Sequence, residues 1–91
     1  MEQQFYVRTI LGDRAGKDYM IHVSNTQFES LFFATCPGVS WMVAGYGTSV
    51  MEALANLVEV LNVINRHASE FTRQVGVSRY ILMVTTKEAK E

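Results

Sequence analysis

The sequence predicts an α+β domain: an antiparallel sheet of four to five strands with one long helix packed on one face, in the order β-β-β-β-α-β. Three observations predict it. The stretch Gly45–Gly76 reads as a glycine turn, an N-cap, one long helix and a glycine stop. Five other stretches are rich in β-branched and aromatic residues. Short polar links carrying glycine, proline or asparagine separate the first four of these.

Phe5–Leu11 is the first predicted strand, and Gly12–Asp18 follows as a charged, glycine-flanked hairpin loop. Tyr19–Ser24 is the second, with Tyr19, Ile21 and Val23 on one face and Met20, His22 and Ser24 on the other. Leu31–Cys36 is apolar on both faces, as a central strand is. Pro37-Gly38 suits the middle of a type II turn, where glycine takes the positive φ. Trp41–Tyr46 returns towards the helix. Arg79–Thr86 closes the order, with Tyr80, Leu82 and Val84 on one face.

The helix is justified by its ends and its period. Ser49 with Glu52 three residues later is a capping-box pattern, with Thr48 as the alternative cap. Val50, Leu54, Leu57, Leu61, Ile64, Ala68, Phe71 and Val75 keep to one helical face, while Glu52, Asn56, Glu59, Asn62, Arg66 and Arg73 lie opposite. Gly76 supplies a left-handed stop, with Val77 as its hydrophobic contact. A helix from Val50 to Val75 is roughly 39 Å long, against about 20 Å for a six-residue strand. It is therefore expected to overhang the sheet, or to break near Asn65–His67, with its second half free for another contact.

Ninety-one residues with 48% hydrophobic and 19% charged composition make one folded domain, residues 1–91. The net charge of −1 gives no basis for phosphate attraction, so nucleic acid is not an expected partner. Cys36 stands alone, which excludes an internal disulfide and fits a reducing cytoplasm. There is no signal-peptide pattern and no apolar run long enough to cross a bilayer.

Candidate chemistry is sparse. Gly45-Tyr46-Gly47-Thr48-Ser49 leads into a helix N-terminus, where exposed amides and the helix dipole suit an anion or nucleotide, but it lacks P-loop and dinucleotide spacing. A tight turn with a cap explains the same residues. His22, His67 and Cys36 have no diagnostic spacing for zinc, and nothing orients them as nucleophile and base. The carboxylates fall in loops, on the polar side of the helix or at the termini, without an inward pair. No catalytic residue, cofactor or metal ligand is assigned, and the chain is not expected to be an enzyme.

What the sequence does offer is apolar surface in excess of one helix's needs. Ile10, Met20, Phe32, Met42, Tyr46, Ile81 and Met83 face away from the helix or towards it depending on register. Trp41 and Tyr46 are natural interface anchors, although Trp41 also suits the sheet–helix junction. The expected partner or dimer surface comprises Trp41, Tyr46, Phe32, Met42, Met83, Arg66, Phe71 and Val75.

Three segments resemble a known family. Phe33-Ala34-Thr35-Cys36-Pro37-Gly38, then Gly45-Tyr46-Gly47-Thr48-Ser49, then Glu52-Ala53-Leu54-Ala55-Asn56-Leu57 are similar to the HicB antitoxin core over residues 33–57. The matching features are the proline-glycine turn, Gly47-Thr48 before the helix and Glu52-Ala53-Leu54 within it. The turn lacks the family's aspartate, and threonine stands where an acidic residue follows the glycine. The resemblance implies a partial RNase-H-like fold and binding of a protein partner, a toxin or host enzyme, in place of catalysis. Because the sequence runs only a few residues past the last strand, the DNA-binding module many such antitoxins carry is not expected. The expectation is a cytoplasmic, homodimeric protein-binding inhibitor of antitoxin, phage or mobile-element type. The alternative is a small-ligand or nucleotide-binding module using Gly45–Ser49.

Overall fold

A computed structural model describes residues 2–28, 30–67 and 76–87, with Glu2 and Lys87 described by their backbone alone. The order is β1 (Glu2–Leu11), β2 (Arg14–Met20), β3 (His22–Asn25), β4 (Phe32–Cys36), β5 (Ser40–Gly47), α1 (Val50–His67) and β6 (Arg79–Lys87). The α+β class holds, but the single predicted sheet does not. Two three-stranded antiparallel sheets form instead, ordered β2-β1-β6 and β3-β4-β5.

The division comes from the stretch Tyr19–Ser24, predicted as one strand. It splits at Ile21, whose N–H still donates to Phe5 O at 2.9 Å. Before that residue the chain pairs with β1; after it, the chain pairs with β4. The side-chain alternation survives the switch. Ile21 is buried and Tyr19 and Val23 pack against the core, while Met20, His22 and Ser24 are exposed. A period-two pattern records faces and is blind to which neighbour supplies the hydrogen bonds.

The predicted loop Gly12–Asp18 shrinks to Gly12-Asp13, and the rest is strand β2. Gly12 takes φ +69°, the positive value that a two-residue hairpin asks of its first loop residue. Polar composition hid the strand because β2 is almost wholly exposed. Thr9 compensates an irregularity in the β1–β2 ladder between Arg8 and Ile10. Its buried hydroxyl accepts from Lys17 N–H at 2.7 Å and donates to Lys17 O at 3.1 Å. Pro37-Gly38 does turn the chain, with Val39 N–H donating to Cys36 O at 3.0 Å. Gly38 keeps a φ outside the positive range and packs beside the Tyr19 ring, so the turn is not the predicted type II.

Helix α1 begins as predicted. Ser49 Oγ accepts from Glu52 N–H at 3.1 Å, and the Glu52 carboxylate accepts from the amide and hydroxyl of Thr48. Those two bonds hold the Glu52 carboxyl below its usual pKa. Removing the cap by Ser49→Ala is expected to cost about 1 kcal/mol, read from a urea midpoint. The Glu52 contribution runs the same way with acid. Because its folded pKa is depressed, it stabilises above the ordinary carboxylate range and is lost as pH falls through the folded value. The Ser49→Ala penalty should therefore change little between pH 7 and pH 5.

Ala53, Leu54, Leu57 and Leu61 are buried on the helix, against Val7, Ile21, Ala34, Cys36, Val39, Val77 and Tyr80. The described helix of 18 residues is about 27 Å long. Strands of 8 to 10 residues, longer than the six assumed from sequence, match it without overhang. The predicted continuation to Val75 lies outside the described residues. Gly76 does take φ +84°, and Val77 is buried. The Cα extents of 37 × 34 × 17 Å leave thickness for one helix on one layer of strands. The other face of those strands has no cover among the described residues.

Candidate interaction surface

The outward face of β3-β4-β5 follows from register. Phe33 pairs with Tyr46, Thr35 with Ala44, Ser24 with Phe33 and His22 with Thr35. These residues alternate with Ala34, Cys36, Gly45 and Gly47, which are buried. Ala44 and Tyr46 therefore share the outward face with Phe33, while Trp41, Met42 and Val43 fall in an irregularity of the β4–β5 ladder between the pairs Thr35–Ala44 and Cys36–Ser40. Met42 is 58% exposed and Tyr46 54%, and the Phe33 and Tyr46 rings lie 6.0 Å apart at a 31° tilt. Trp41, at the start of the same strand, is 76% exposed, so it does not fill the sheet–helix junction.

The other anticipated residues scatter. Phe32 packs against the core and pairs with Gly47 on the helix side, so it leaves the surface set. Its neighbour Phe33, which sequence reasoning passed over, takes the outward position; the two-residue pairing register decided between them. Met83 lies in β6 opposite Tyr6, on the second sheet, and is half-buried. Ile10 is buried. Arg66 is exposed near the end of α1, while Phe71 and Val75 lie outside the described residues.

The glycines before the helix serve packing. A Cβ on Gly45 would lie under 3 Å from Leu57 N, Leu57 Cα and Ala53 O, and one on Gly47 would strike Ala53 N and the Glu52 side chain. Both residues let the strand backbone touch the helix backbone. The Glu52 carboxylate meanwhile occupies the helix entrance, where an incoming anion would meet a like charge. Packing against α1 accounts for the two glycines that suggested phosphate binding.

Three helix asparagines form a polar seam, and periodicity places two of them, Asn56 and Asn62, on the helix side opposite the apolar stripe. Asn62 Nδ2 donates to Tyr80 O at 3.0 Å, and its Oδ1 accepts from Tyr80 N–H at 2.7 Å. Asn65 Nδ2 donates to Val77 O at 2.9 Å, and Asn56 Nδ2 donates to Tyr46 O. They fasten α1 to β5 on one side and to β6 and its approach on the other. Elsewhere, Arg8 and Asp18 face each other across β1–β2 in a two-pronged pair at 2.8 and 3.0 Å. Arg8, through its hydrogen bonds, holds the Asp18 carboxyl below its usual pKa.

Cys36 is fully buried, and desolvation pushes its thiol up to about 11, so it is protonated at neutral pH and a poor nucleophile. His22 and His67 are exposed. Among the described residues, no three His, Cys, Asp or Glu side chains cluster as metal ligands do. An open groove of about 500 Å³ lies between the start of β1 and the Met20–Ser24 stretch, and among the described residues His22 is its one ionisable lining residue. Among the described residues, no helix is long and apolar enough to cross a membrane. Comparison with protein-family models, with curated proteins and with solved structures finds no match for the chain.

Proposed function

We propose that this chain is a non-enzymatic protein-interaction module that acts as a homodimer and inhibits a partner protein in the manner of an antitoxin. The observation that carries the reading is the outward face of β3-β4-β5. It presents Tyr46 and Phe33, with the exposed Met42 and Trp41 on the irregular start of β5 beside them, aromatic and methionine side chains of the kind that anchor protein interfaces. No charged residue occurs in β3, β4 or β5, so this surface is not tuned for a phosphate or a small ionic substrate. The resemblance of residues 33–57 to the HicB core supplies the direction, namely a toxin or host enzyme as the inhibited partner.

The test joins mass to surface. Light scattering of the purified chain is expected to give twice 10.3 kDa. Met42→Glu with Tyr46→Glu is expected to yield a folded monomer, judged by unchanged far-ultraviolet circular dichroism. A double variant with wild-type mass and undiminished partner binding would remove the outward face from the proposal.

A further inference from the structure

We propose that an extended, uncharged segment of the partner protein docks as a strand in the groove between the start of β1 and the Met20–Ser24 stretch. This rests on the protein-binding reading and adds a contact separate from the outward face. The groove lies where one ladder splits. Strand β1 pairs with β2 as far as Tyr6 opposite Met20, and Ile21 N–H adds a bond to Phe5 O at 2.9 Å. Past Ile21 the chain turns away to pair with β4, while the start of β1 stays beside β6.

Alternation decides which groups the split leaves facing the opening. Successive residues of a strand direct their N–H and C=O to opposite edges. Phe5 directs its carbonyl to Ile21, so Gln3, two residues away, directs its N–H and C=O to the same edge and into the groove. On the other wall, Thr26 N–H donates to Leu31 O at 2.8 Å, in line with the β3–β4 register. Ser24 and His22 therefore direct their backbone groups to β4, and Val23 between them directs its own to the free edge. In an unsplit ladder Gln3 and Val23 would be partners. Among the described residues, Gln3 pairs only with β6 and Val23 only with β4, each on its far edge.

Facing rows of backbone donors and acceptors select the occupant. Along one edge they repeat every second residue, roughly 6.6–6.8 Å, a spacing that another extended backbone matches. The two walls run antiparallel, so an inserted strand is antiparallel to one and parallel to the other. It would join the two three-stranded sheets into one. Gln3, Gln4 and Ser24 offer neutral hydrogen-bonding side chains, and Met20 and Val23 offer apolar contact. The described lining holds no Lys, Arg, Asp or Glu, so a charged side chain entering the groove would find no counter-ion and the docked stretch is neutral. The volume of about 500 Å³ falls in the range of about 300–1,000 Å³ that binding sites occupy.

The test uses the full chain and a phage-displayed library of random seven-residue peptides. Peptides selected on it are expected to be uncharged over their central positions and to slow amide exchange at Gln3 and Val23. Gln3→Pro removes the groove-facing N–H, while the β6 ladder keeps the bonds made by Gln4 and Tyr6. It should weaken the selected peptide at least tenfold with far-ultraviolet circular dichroism unchanged. If Gln3→Pro does not fold, the same peptide N-methylated at its central amide decides on the wild-type chain, where it should bind at least tenfold more weakly. Met42→Glu with Tyr46→Glu should leave peptide affinity unchanged. A library without binders, or a selected peptide indifferent to both Gln3→Pro and N-methylation, overturns groove docking. A peptide lost only in the Met42→Glu, Tyr46→Glu variant binds the outward face and overturns it too, while leaving the protein-binding reading intact.

Discussion

Gly45→Val is expected to be the most damaging single substitution in this domain, costing about 3 kcal/mol or more of folding stability. The cost has nothing to do with backbone freedom, since Gly45 is not among the residues at positive φ. It comes from space. A Cβ at this position meets Leu57 N, Leu57 Cα and Ala53 O, all backbone atoms of α1, which cannot swing aside as a flexible side chain does. Relief requires the helix to lift from β5, and that opens the contacts of Leu54 and Leu57, both fully buried. A domain of this size has only about 5–13 kcal/mol in hand. Urea titration should show a midpoint far below wild type. Gly12→Ala makes a useful comparison, because its Cβ would meet open space and only its φ of +69° resists. That strain costs about 1–2 kcal/mol. If Gly45→Val proved no worse than Gly12→Ala, the close approach of helix and strand would be wrong.

Asn62→Ala is expected to cost about 2–3 kcal/mol, the second largest effect. The substitution deletes a side chain that both donates to and accepts from the Tyr80 backbone, at 3.0 and 2.7 Å. Losing two bonds to part-buried backbone groups is dearer than losing one surface bond, because water has restricted access to replace them. Asn56→Ala supplies the control. It removes one bond to an exposed carbonyl, that of Tyr46, and should cost less than about 1 kcal/mol. Amide exchange at Tyr80 should accelerate in Asn62→Ala and stay near wild type in Asn56→Ala. Equal losses from the two substitutions would refute the seam as a clamp on β6.

Much of the local structure is legible in the residues. The Ser49–Glu52 cap, the buried stripe through Leu54, Leu57 and Leu61, and the inward alternation of Tyr19, Ile21 and Val23 all stand as read. Each depends on neighbours within a few positions, where spacing alone sets the geometry. Misreadings fall where a long-range partner decides. The Arg14–Asp18 part of β2 looked like a loop because its stabilisation comes from the β1 ladder and Thr9, while its own side chains are exposed. Asn62 looked like solvent-facing polarity, because composition cannot show that β6 returns beside it. Of the surface residues, Met42, Tyr46 and Trp41 were identifiable as aromatic or sulfur-bearing groups on one strand. Phe33 and Phe32 were separable only by register.

The sequence by itself determined the α+β class, the position and N-cap of the helix, the faces of most strands and the charge-free character of β3, β4 and β5. Those are properties of periodicity, capping and composition. Tertiary structure decided that the chain crosses between two sheets at Ile21, and that Gly45 and Gly47 are contact points for a helix. The physical reason is that hydrogen-bond partners and close approaches are set by where distant segments meet, and no local pattern encodes that meeting.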